Sequence, residues 1–446
     1  LSGKASDSAM NRRDFMNRSG LLFGASLLSL PHAMTVVAQP ITTSNNPDFN
    51  NWDEVRHQFT LDPKLIHMAG FYLASHPAPV REAIERHRRG FDANAIEYHH
   101  DNAMRFELAA IDAASRYLGV DPAGIAMTDS TTMGLGLIYN SIHLETDHEI
   151  LTTTHDHYAT WRSLELRAER SGASVRRVSL YERGEDATAE EMVNKVVSAI
   201  TPRTRLIALT WVHSGTGVKV PVAQISRAVK QVNRNRDNED QILLSVDGVH
   251  GIGVEQESLS ELGCDIFIAG THKWIFGPRG TGLVYATPQA RQLLQPTIPP
   301  FPPVVFSDLS DEEVENRMTW GMQMSPGGFH SFEHRWAVTE AFAMHEKLGK
   351  PSVTSRIHML NRQIKEGLSS MPHITMHTPM SDDVSAGMAC FEVDGMSPAK
   401  VVSRLRERSI VASTTPYAVT YARLSAAIYN TEQEIDQIIS TVHELG

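Results

Sequence analysis

Two side chains that could hold one cofactor follow two short apolar runs in the middle of the chain. The runs cover residues 242–246 and 266–269, and their length and flanking glycines are typical of buried parallel strands. Asp247 follows the first run, and Lys273 follows the second within the sequence Thr-His-Lys. Because ligands gather at the carboxyl ends of strands in open α/β sheets, we expect this carboxylate and this amine to face one bound group.

Pyridoxal 5'-phosphate (PLP) requires this combination of groups. A lysine amine condenses with its aldehyde, and an acid keeps its pyridine nitrogen protonated so that the ring withdraws electrons. Taken singly, a lysine after a strand is usually a solvated loop residue, and an aspartate before glycine usually forms a turn or a helix cap. Since the two occur together, we predict that Lys273 and Asp247 are catalytic residues that bind PLP.

Length and composition indicate an ordinary globular protein of two domains. The chain has 446 residues, of which 41% are hydrophobic and 21% are charged. The formal net charge is -11, so the sequence lacks the basic character expected for a nucleic-acid partner. The two cysteines, Cys264 and Cys390, supply neither a disulfide framework nor a set of zinc ligands.

The N-terminal stretch predicts an export signal. Arg12, Arg13 and Phe15 precede an uncharged apolar run over residues 20–30, and small residues suited to cleavage follow. The pattern resembles a twin-arginine signal, so we expect the twin-arginine machinery to export the folded protein to the periplasm. Residues 1–38 would be removed, residues 1–9 being a remnant foreign to the chain. The run is too short for a stable membrane anchor, and a basic amphipathic helix is the alternative.

Three stretches make the sequence resemble the class V aminotransferase family of fold-type I PLP enzymes, which includes cysteine desulfurases and isopenicillin N epimerase. The stretches read SVDGVHGIG, AGTHKWIFGPRGTG and ARLSAAIYNTEQEID, and the resemblance extends from about Leu65 to the C-terminus. The resemblance implies an α/β fold with a large PLP-binding domain (residues 65–300) and a small α+β C-terminal domain (301–446). Residues 39–64 would form an N-terminal linker or arm.

The spacing of strands and helices agrees with this fold. Strands alternate with helices between residues 125 and 286, which predicts a mostly parallel sheet with helices on both faces. Ahead of the sheet, apolar spacing and a closing glycine at Gly119 predict two separate helices over residues 79–92 and 103–118.

The resemblance assigns several residues to the cofactor phosphate. Ser130, Thr131 and Thr132 form a Ser/Thr cluster at a predicted helix start, where free N–H groups and the helix dipole favour an anion. Simple N-capping by Ser130 is the alternative. His272 corresponds to a phosphate contact of the family.

A later loop of the family reaches the phosphate of the partner subunit. Gly327 and Gly328 lie in the corresponding stretch here, so the resemblance implies a homodimer with shared sites. A flexible surface loop is the alternative explanation of these glycines.

Four histidines complete the cofactor and substrate assignments. The resemblance implies that His155 lies over the PLP ring, that His250 lies near the phenolic oxygen, and that His157 faces the substrate. His213 stands where family members often carry asparagine, so its contact with the phenolic oxygen is open. His155 and His157 could instead bind a metal, but no third ligand follows at a recognisable spacing.

Arg423 matches the family arginine that binds the substrate α-carboxylate. A guanidinium can pair with a carboxylate through two parallel hydrogen bonds, which an ammonium cannot do. A surface arginine at a strand edge is the alternative. Cysteine desulfurases require a nucleophilic cysteine on a loop that corresponds to residues 413–417, and no cysteine occurs there. Desulfurase activity is therefore not expected.

Together these features predict a PLP-dependent enzyme for an amino acid or for the amino-acid head of a larger molecule. With the export signal, the resemblance implies oxidative decarboxylation of the glutamyl side chain of a pyoverdine siderophore-peptide precursor to a succinamide. An amino-acid epimerase or an aminotransferase is the alternative among enzymes. A PLP-fold binding module without activity is disfavoured, because Lys273, Asp247 and Arg423 are all present.

Overall fold

A computed structural model describes residues 47–301 and 310–446. Its centre is a seven-stranded sheet in the order β2–β8–β7–β6–β5–β3–β4, in which only β8 runs antiparallel to its neighbours. The prediction of a mostly parallel α/β sheet is confirmed. The strands are β2 (Ile125–Thr128), β3 (Glu149–Thr153), β4 (Ser174–Val178), β5 (Thr204–Thr210), β6 (Leu243–Asp247), β7 (Ile266–Gly270) and β8 (Gly282–Ala286). The export signal predicted for residues 1–38 lies outside the described residues.

Helices cover both faces of this sheet because its central strands are apolar on both sides. Along β7, Ile266 and Ile268 enter one buried cluster, whereas Phe267 and Ala269 enter the other. This alternation follows from the two-residue repeat of a strand. The helices of the large domain are α1 (Trp52–His57), α2 (Ala78–Leu118), α3 (Thr131–Ser141), α4 (Tyr158–Ser171), α5 (Ala189–Ala199), α6 (Val222–Asn233), α7 (Leu259–Leu262) and α8 (Pro288–Arg291).

The expectation of two helices ahead of the sheet agrees with α2, in which two helices join at a kink, but residues 93–102, expected between them, are helical except at Asn94. At Asn94, φ is -161° and ψ is 88°. Side chains bridge the interruption, since His87 Nδ1 lies 3.0 Å from the Tyr98 hydroxyl and Phe91 packs on the Tyr98 ring. The helix ends as predicted at Gly119, whose φ of 70° is left-handed.

A second, four-stranded sheet forms the centre of the C-terminal region. Its order is β12–β13–β10–β9, and all its neighbours are antiparallel. Strand β1 (Ile66–His67) pairs with β11 (Ile410–Val411) beside it. The remaining elements are α9 (Asp311–Arg317), α10 (Trp320–Met324), α11 (Phe332–Leu348), α12 (Lys350–Ser369), β9 (Ile374–Met376), β10 (Ala389–Val393), α13 (Pro398–Glu407), β12 (Ser413–Thr414), β13 (Ala422–Leu424) and α14 (Glu432–His443).

The C-terminal sheet with α12, α13 and α14 encloses a separate apolar core, whereas Met324 of α10 and Phe342 of α11 are buried in the cores beside the seven-stranded sheet. Phe391 from β10, Leu424 from β13 and Ile435 from α14 are all buried in the separate core, together with Met68, which follows β1. The chain just before the first long helix therefore packs with the C-terminal sheet. Over residues 47–301 and 310–446, no helix combines the length and the apolar character that crossing a membrane requires.

Candidate active site

Asp247 and Lys273 lie at the carboxyl ends of the adjacent parallel strands β6 and β7. Asp247 is the last residue of β6 and pairs in register with Ile268, and Lys273 follows β7 by three residues. The amide of Val249 donates to Asp247 Oδ1 at 3.1 Å. Lys273 Nζ lies 3.0 Å from His250 Nε2. The structure thus brings Asp247, His250 and Lys273 together, as the sequence predicts.

Burial controls the charge of these three groups. It raises the pKa of Asp247, while the Val249 amide and the Lys273 charge act in the opposite direction. Burial lowers the pKa of Lys273, and the Asp247 charge partly restores it. The pKa of His250 falls well below its usual value because of burial and the neighbouring Lys273 charge. His250 is therefore neutral and can accept a hydrogen bond from the lysine amine.

The first turn of α3 lies beside the end of β7. The amide of Met133 donates to Ser130 Oγ at 3.1 Å, so Ser130 caps the helix, while Thr132 is exposed. A Cβ atom at Gly270 would lie 2.9 Å from Thr131 Oγ1 and 2.7 Å from His272 Cε1. The helix start, Gly270 and His272 therefore line one small space.

This space fits the phosphate of PLP. The hydroxyl of Thr131 is buried and has no hydrogen-bond partner among the described residues. A helix N-terminus offers free N–H groups and a partial positive charge. His272 Nδ1 is 3.4 Å from the Thr281 carbonyl oxygen, which leaves Nε2 for another partner.

Asp156 holds the turn that carries two of the predicted histidines. Its Oδ2 accepts from the Thr153 amide at 2.7 Å, and its Oδ1 accepts from the Thr210 amide at 2.8 Å. Because Thr153 ends β3 and Thr210 ends β5, the buried carboxylate fixes the loop to both strands. His155 and His157 flank it.

The structure brings His157 to the Lys273 side of the site and places His155 elsewhere. His157 Nδ1 accepts from the Ala159 amide at 3.2 Å, and burial and the Lys273 charge lower the His157 pKa. The His155 ring stacks on Tyr181 at 3.8 Å, and its Nε2 accepts from the Leu180 amide at 3.1 Å. His157 is therefore the better placed of the two to face a cofactor ring.

His213 is buried beside Tyr181. Its Nδ1 is 2.9 Å from the Tyr181 hydroxyl, and burial lowers its pKa to about 3. Its Nε2 has no partner among the described residues. The next residue, Ser214, contacts Arg423, which is assigned to the substrate carboxylate.

Arg423 is buried on β13, with 3% of its surface exposed. Its Nη1 donates to the Ser214 carbonyl at 2.6 Å, its Nη2 to the Thr414 carbonyl at 3.3 Å, and its Nε to Ser413 Oγ at 3.2 Å. The guanidinium lies 4.4 Å from the centre of the Phe71 ring. Three of its five N–H groups are thus used among the described residues, and two are available.

The positive charge of Arg423 is felt at the cofactor end. It lowers the pKa of both Lys273 and His250. The site therefore combines two cations, Lys273 and Arg423, with the buried carboxylates of Asp247 and Asp156.

Sequence reasoning missed three residues that shape the substrate side. They are Phe71, Ser214 and Tyr417. The Tyr417 hydroxyl is 2.8 Å from Ser214 Oγ, and its ring lies 6.2 Å from the His157 ring. Phe71 packs 5.9 Å from the His250 ring. No motif marks them, because they come from loops in three distant parts of the chain.

Gly327 and Gly328 lie apart from Lys273 within this chain. They line an apolar cavity of about 170 Å³ together with Phe301, Phe329 and Arg335. Gly328 has a φ of +107°, a conformation that favours glycine. Their predicted contact with a partner's phosphate stays a prediction.

The fold and the site define a PLP-binding protein of fold type I: a mostly parallel sheet, a lysine and an aspartate at neighbouring strand ends, and an anion cradle at a helix start. Comparison with known proteins agrees. The Aminotransferase class-V family model matches residues 74–438. The chain belongs to the class V aminotransferase family and is a PLP-dependent enzyme.

Relatives of two activities match nearly the whole chain. Isopenicillin N epimerase from Streptomyces clavuligerus is 28% identical over 409 residues, which are 89% of this chain and 98% of the relative. A cysteine desulfurase from Cronobacter sakazakii is 23% identical over 387 residues, 82% of this chain and 90% of the relative. Among solved structures, a C-DES mutant with glycine covalently linked to its PLP cofactor has a TM-score of 0.78 at 21% identity, covering 88% of this chain and 99% of that chain.

Proposed function

We propose that this PLP-dependent enzyme breaks a bond at the Cα atom of an α-amino acid or of the amino-acid head of a larger molecule. The observation that carries the proposal is that Arg423 and Lys273 share one site, in which Phe71 and His250 lie between them, with two N–H groups of the guanidinium available. An α-amino acid presents an amine and a carboxylate on one carbon, so the Arg423 and Lys273 side chains can bind both groups at once.

Lys273 would hold the cofactor through its amine, which is the group that reacts with an aldehyde. Because burial lowers its pKa, a larger share of the amine is unprotonated near neutral pH than for an exposed lysine. His250 Nε2 accepts a hydrogen bond from this amine and so orients it. With substrate bound, the Lys273 amine would be the group that holds or returns a proton at Cα.

Asp247 holds a negative charge where the pyridine nitrogen would lie. PLP, when bound, withdraws electrons from the Cα atom of its substrate, and a protonated ring nitrogen strengthens this effect. The Val249 amide and the Lys273 charge favour the ionised form of Asp247 against the effect of burial. His157 is placed to cover one face of the ring.

Arg423 would decide which Cα bond breaks, because holding the carboxylate fixes the rotation about the N–Cα bond. The epimerase alternative, in which the Cα–H bond breaks, is favoured by the two isopenicillin N epimerases that match 98% of their own length. Both cysteines are buried, and burial raises the pKa of the Cys390 thiol to about 11. This burial supports a reaction other than desulfuration.

A narrower proposal adds substrate and location. The substrate proposed is the glutamyl side chain of a pyoverdine precursor, which undergoes oxidative decarboxylation after twin-arginine export to the periplasm. The sequence of residues 11–39 supports the export step alone. Replacing Arg12 and Arg13 with lysine should retain the protein in the cytoplasm. Normal accumulation of that variant in the periplasm would contradict this route.

A homodimer is the proposed assembly. Phe301 and Phe329 are 63% and 80% exposed beside Gly327 and Gly328, and large exposed aromatic side chains are unfavourable in a monomer. Light scattering of the purified protein should give twice the mass of the chain.

Incubation in D2O tests the reaction class. The holoenzyme is mixed with the twenty protein amino acids and with γ-linked glutamyl peptides, and proton NMR follows the Cα–H signal while trapped CO2 is counted. Loss of Cα–H without CO2 supports an epimerase or an aminotransferase, and release of CO2 supports a decarboxylase. Absence of both for every compound would overturn the proposal.

A further inference from the structure

Tyr417 lies on the loop between β12 and β13 and contacts a turn of the large domain. Its hydroxyl is 2.8 Å from Ser214 Oγ. Its ring covers Gly215 so closely that a Cβ atom there would lie 3.1 Å from Tyr417 Cδ2. The ring also stands edge-on to His157, at 88°. The Tyr417 side chain therefore packs on the turn at residues 214 and 215 and hydrogen-bonds to it.

Ser214 connects this tyrosine to the carboxylate-binding arginine. Its side chain meets the Tyr417 hydroxyl, and its carbonyl accepts from Arg423 Nη1 at 2.6 Å. The other side of the guanidinium is bounded by the Thr414 carbonyl and the Phe71 ring. Nε of Arg423 also donates to Ser413 Oγ at 3.2 Å, so the hydrogen bond to the Ser214 carbonyl is the shortest of three and the one that comes from outside the C-terminal sheet. The position of this carbonyl depends on what holds the turn.

We propose that Tyr417 is a positioning residue for the carboxylate-binding arginine: it fixes the Ser214–Gly215 turn so that Arg423 directs its two available N–H groups to the substrate. This inference rests on the proposed function, in which Arg423 binds an α-carboxylate. Tyr417 forms no bond to the substrate in this role. It acts through Ser214, at the one end of the turn that the hydrogen bonds of His213 and Thr216 to the Tyr181 hydroxyl do not reach directly.

Glycine and methylamine test the proposal, because they differ only in the α-carboxylate and fit a site of any size. The dissociation constant of each is measured on the holoenzyme from the change in the cofactor's visible absorption band. Removing one neutral hydrogen bond in Tyr417→Phe should weaken glycine binding by about threefold to tenfold. Methylamine binding should not change.

Two further variants show whether an effect on glycine binding comes from the hydrogen bond between Tyr417 and Ser214. Ser214→Ala removes the other partner of the same hydrogen bond, so Ser214→Ala and the double variant with Tyr417→Phe should each match Tyr417→Phe alone. Tyr421→Phe is the matched control, since Tyr421 lies on the same loop but stacks on His377 at 3.8 Å. It should bind both ligands as the unaltered protein does.

Three results would overturn the inference. They are an equal change for glycine and methylamine, losses that multiply in the double variant, and no change in Tyr417→Phe. If Arg423→Ala loses the preference for glycine while Tyr417→Phe keeps the full preference of the unaltered protein, the inference fails and the proposed function stands. If the unaltered protein shows no preference for glycine over methylamine, the proposed function fails.

Discussion

The cofactor end and the substrate end of the site are built in different ways. At the cofactor end, Asp247 and Lys273 follow neighbouring strands of the central sheet, and main-chain hydrogen bonds fix their positions. At the substrate end, Arg423 is held by the carbonyls of Ser214 and Thr414, and Ser214 lies 209 positions away in the chain. The first end is set by the sheet itself, and the second depends on how the loops of two regions meet.

The difference shows where specificity can change. A substitution in the loops around Arg423 should leave Asp247 and Lys273 in place, because Asp247 ends a strand and Lys273 closely follows one, and the other residues of both strands are buried in the core. Relatives with different names can therefore share the cofactor end while the substrate end differs. We expect variants of the two ends to separate in the same way.

The largest effect is expected for Lys273→Ala. Without the amine, PLP has no covalent attachment, and turnover should fall at least about 100-fold because a proton-transfer group is also lost. Borohydride reduction followed by mass spectrometry should show bound cofactor in the unaltered protein and none in the variant. The exposed Lys195→Ala is the control. Cofactor that is still covalently attached in Lys273→Ala would contradict the assignment.

Asp247→Asn keeps the shape of the side chain and removes its charge. Turnover should fall by roughly 100-fold, since a preorganised charge beside the reacting group is lost. Glycine and methylamine should be affected equally, because the substitution lies at the cofactor end. Steady-state kinetics and the absorption titration measure the two quantities. A change confined to glycine would contradict the separation of the two ends.

His157 and His155 give a pair of matched variants. His157→Ala should weaken PLP binding by about tenfold, the size expected for one aromatic contact. His155→Ala should leave PLP binding nearly unchanged and lower the free energy of unfolding by about 1–3 kcal/mol, because it removes a ring stacked on Tyr181. Cofactor titration and urea unfolding separate these outcomes. The reverse pattern would show that His155 faces the cofactor.

The sequence predicts the cofactor end of the site better than the substrate end. Strand ends at Asp247 and Lys273, and the capped start of α3 at Ser130, can be read from local patterns because each lies directly beside a buried element. The directions of the His155 and His157 side chains cannot be read from local patterns, since neighbouring residues of a turn point in different directions. The contacts of Asp156 decide which of the two histidines faces Lys273.

Long-range contacts account for the rest. Tyr417 and Ser214 meet across two regions of the fold, and nothing in either local sequence indicates the partner. The two helices of α2 were expected with a gap over residues 93–102, because that stretch lacks a clear apolar repeat, whereas they join at the kink at Asn94. Packing of His87 and Phe91 on Tyr98 keeps the helix continuous on both sides of Asn94.

Beneath the site, His213 predicts a pH dependence of stability. Its pKa is about 3 in the folded protein and about 6.5 when unfolded, so the unfolded chain binds the extra proton between these values. The contribution of the buried, neutral His213 ring to the free energy of unfolding is therefore present above pH 6.5 and is lost as the pH falls toward 3. The unfolding free energy of His213→Asn apoprotein should change less steeply with pH, by about 1.4 kcal/mol per pH unit.

Urea unfolding at pH 4.5 and pH 6 measures this slope. The exposed His143→Asn is the control and should keep the slope of the unaltered protein. An unchanged slope in His213→Asn would show that His213 is not buried in its neutral form.

The binding of glycine and methylamine to Arg423→Ala tests the central claim most directly. If the guanidinium pairs with an α-carboxylate, its removal costs about 1.5–3 kcal/mol, so glycine should bind about ten- to 100-fold more weakly. Methylamine should bind as before, PLP should stay bound, and Arg423→Lys should restore glycine binding only in part because one ammonium cannot form the paired hydrogen bonds. An equal loss for both ligands, or loss of PLP from Arg423→Ala, would show that Arg423 is structural and would contradict the account of an α-amino acid enzyme.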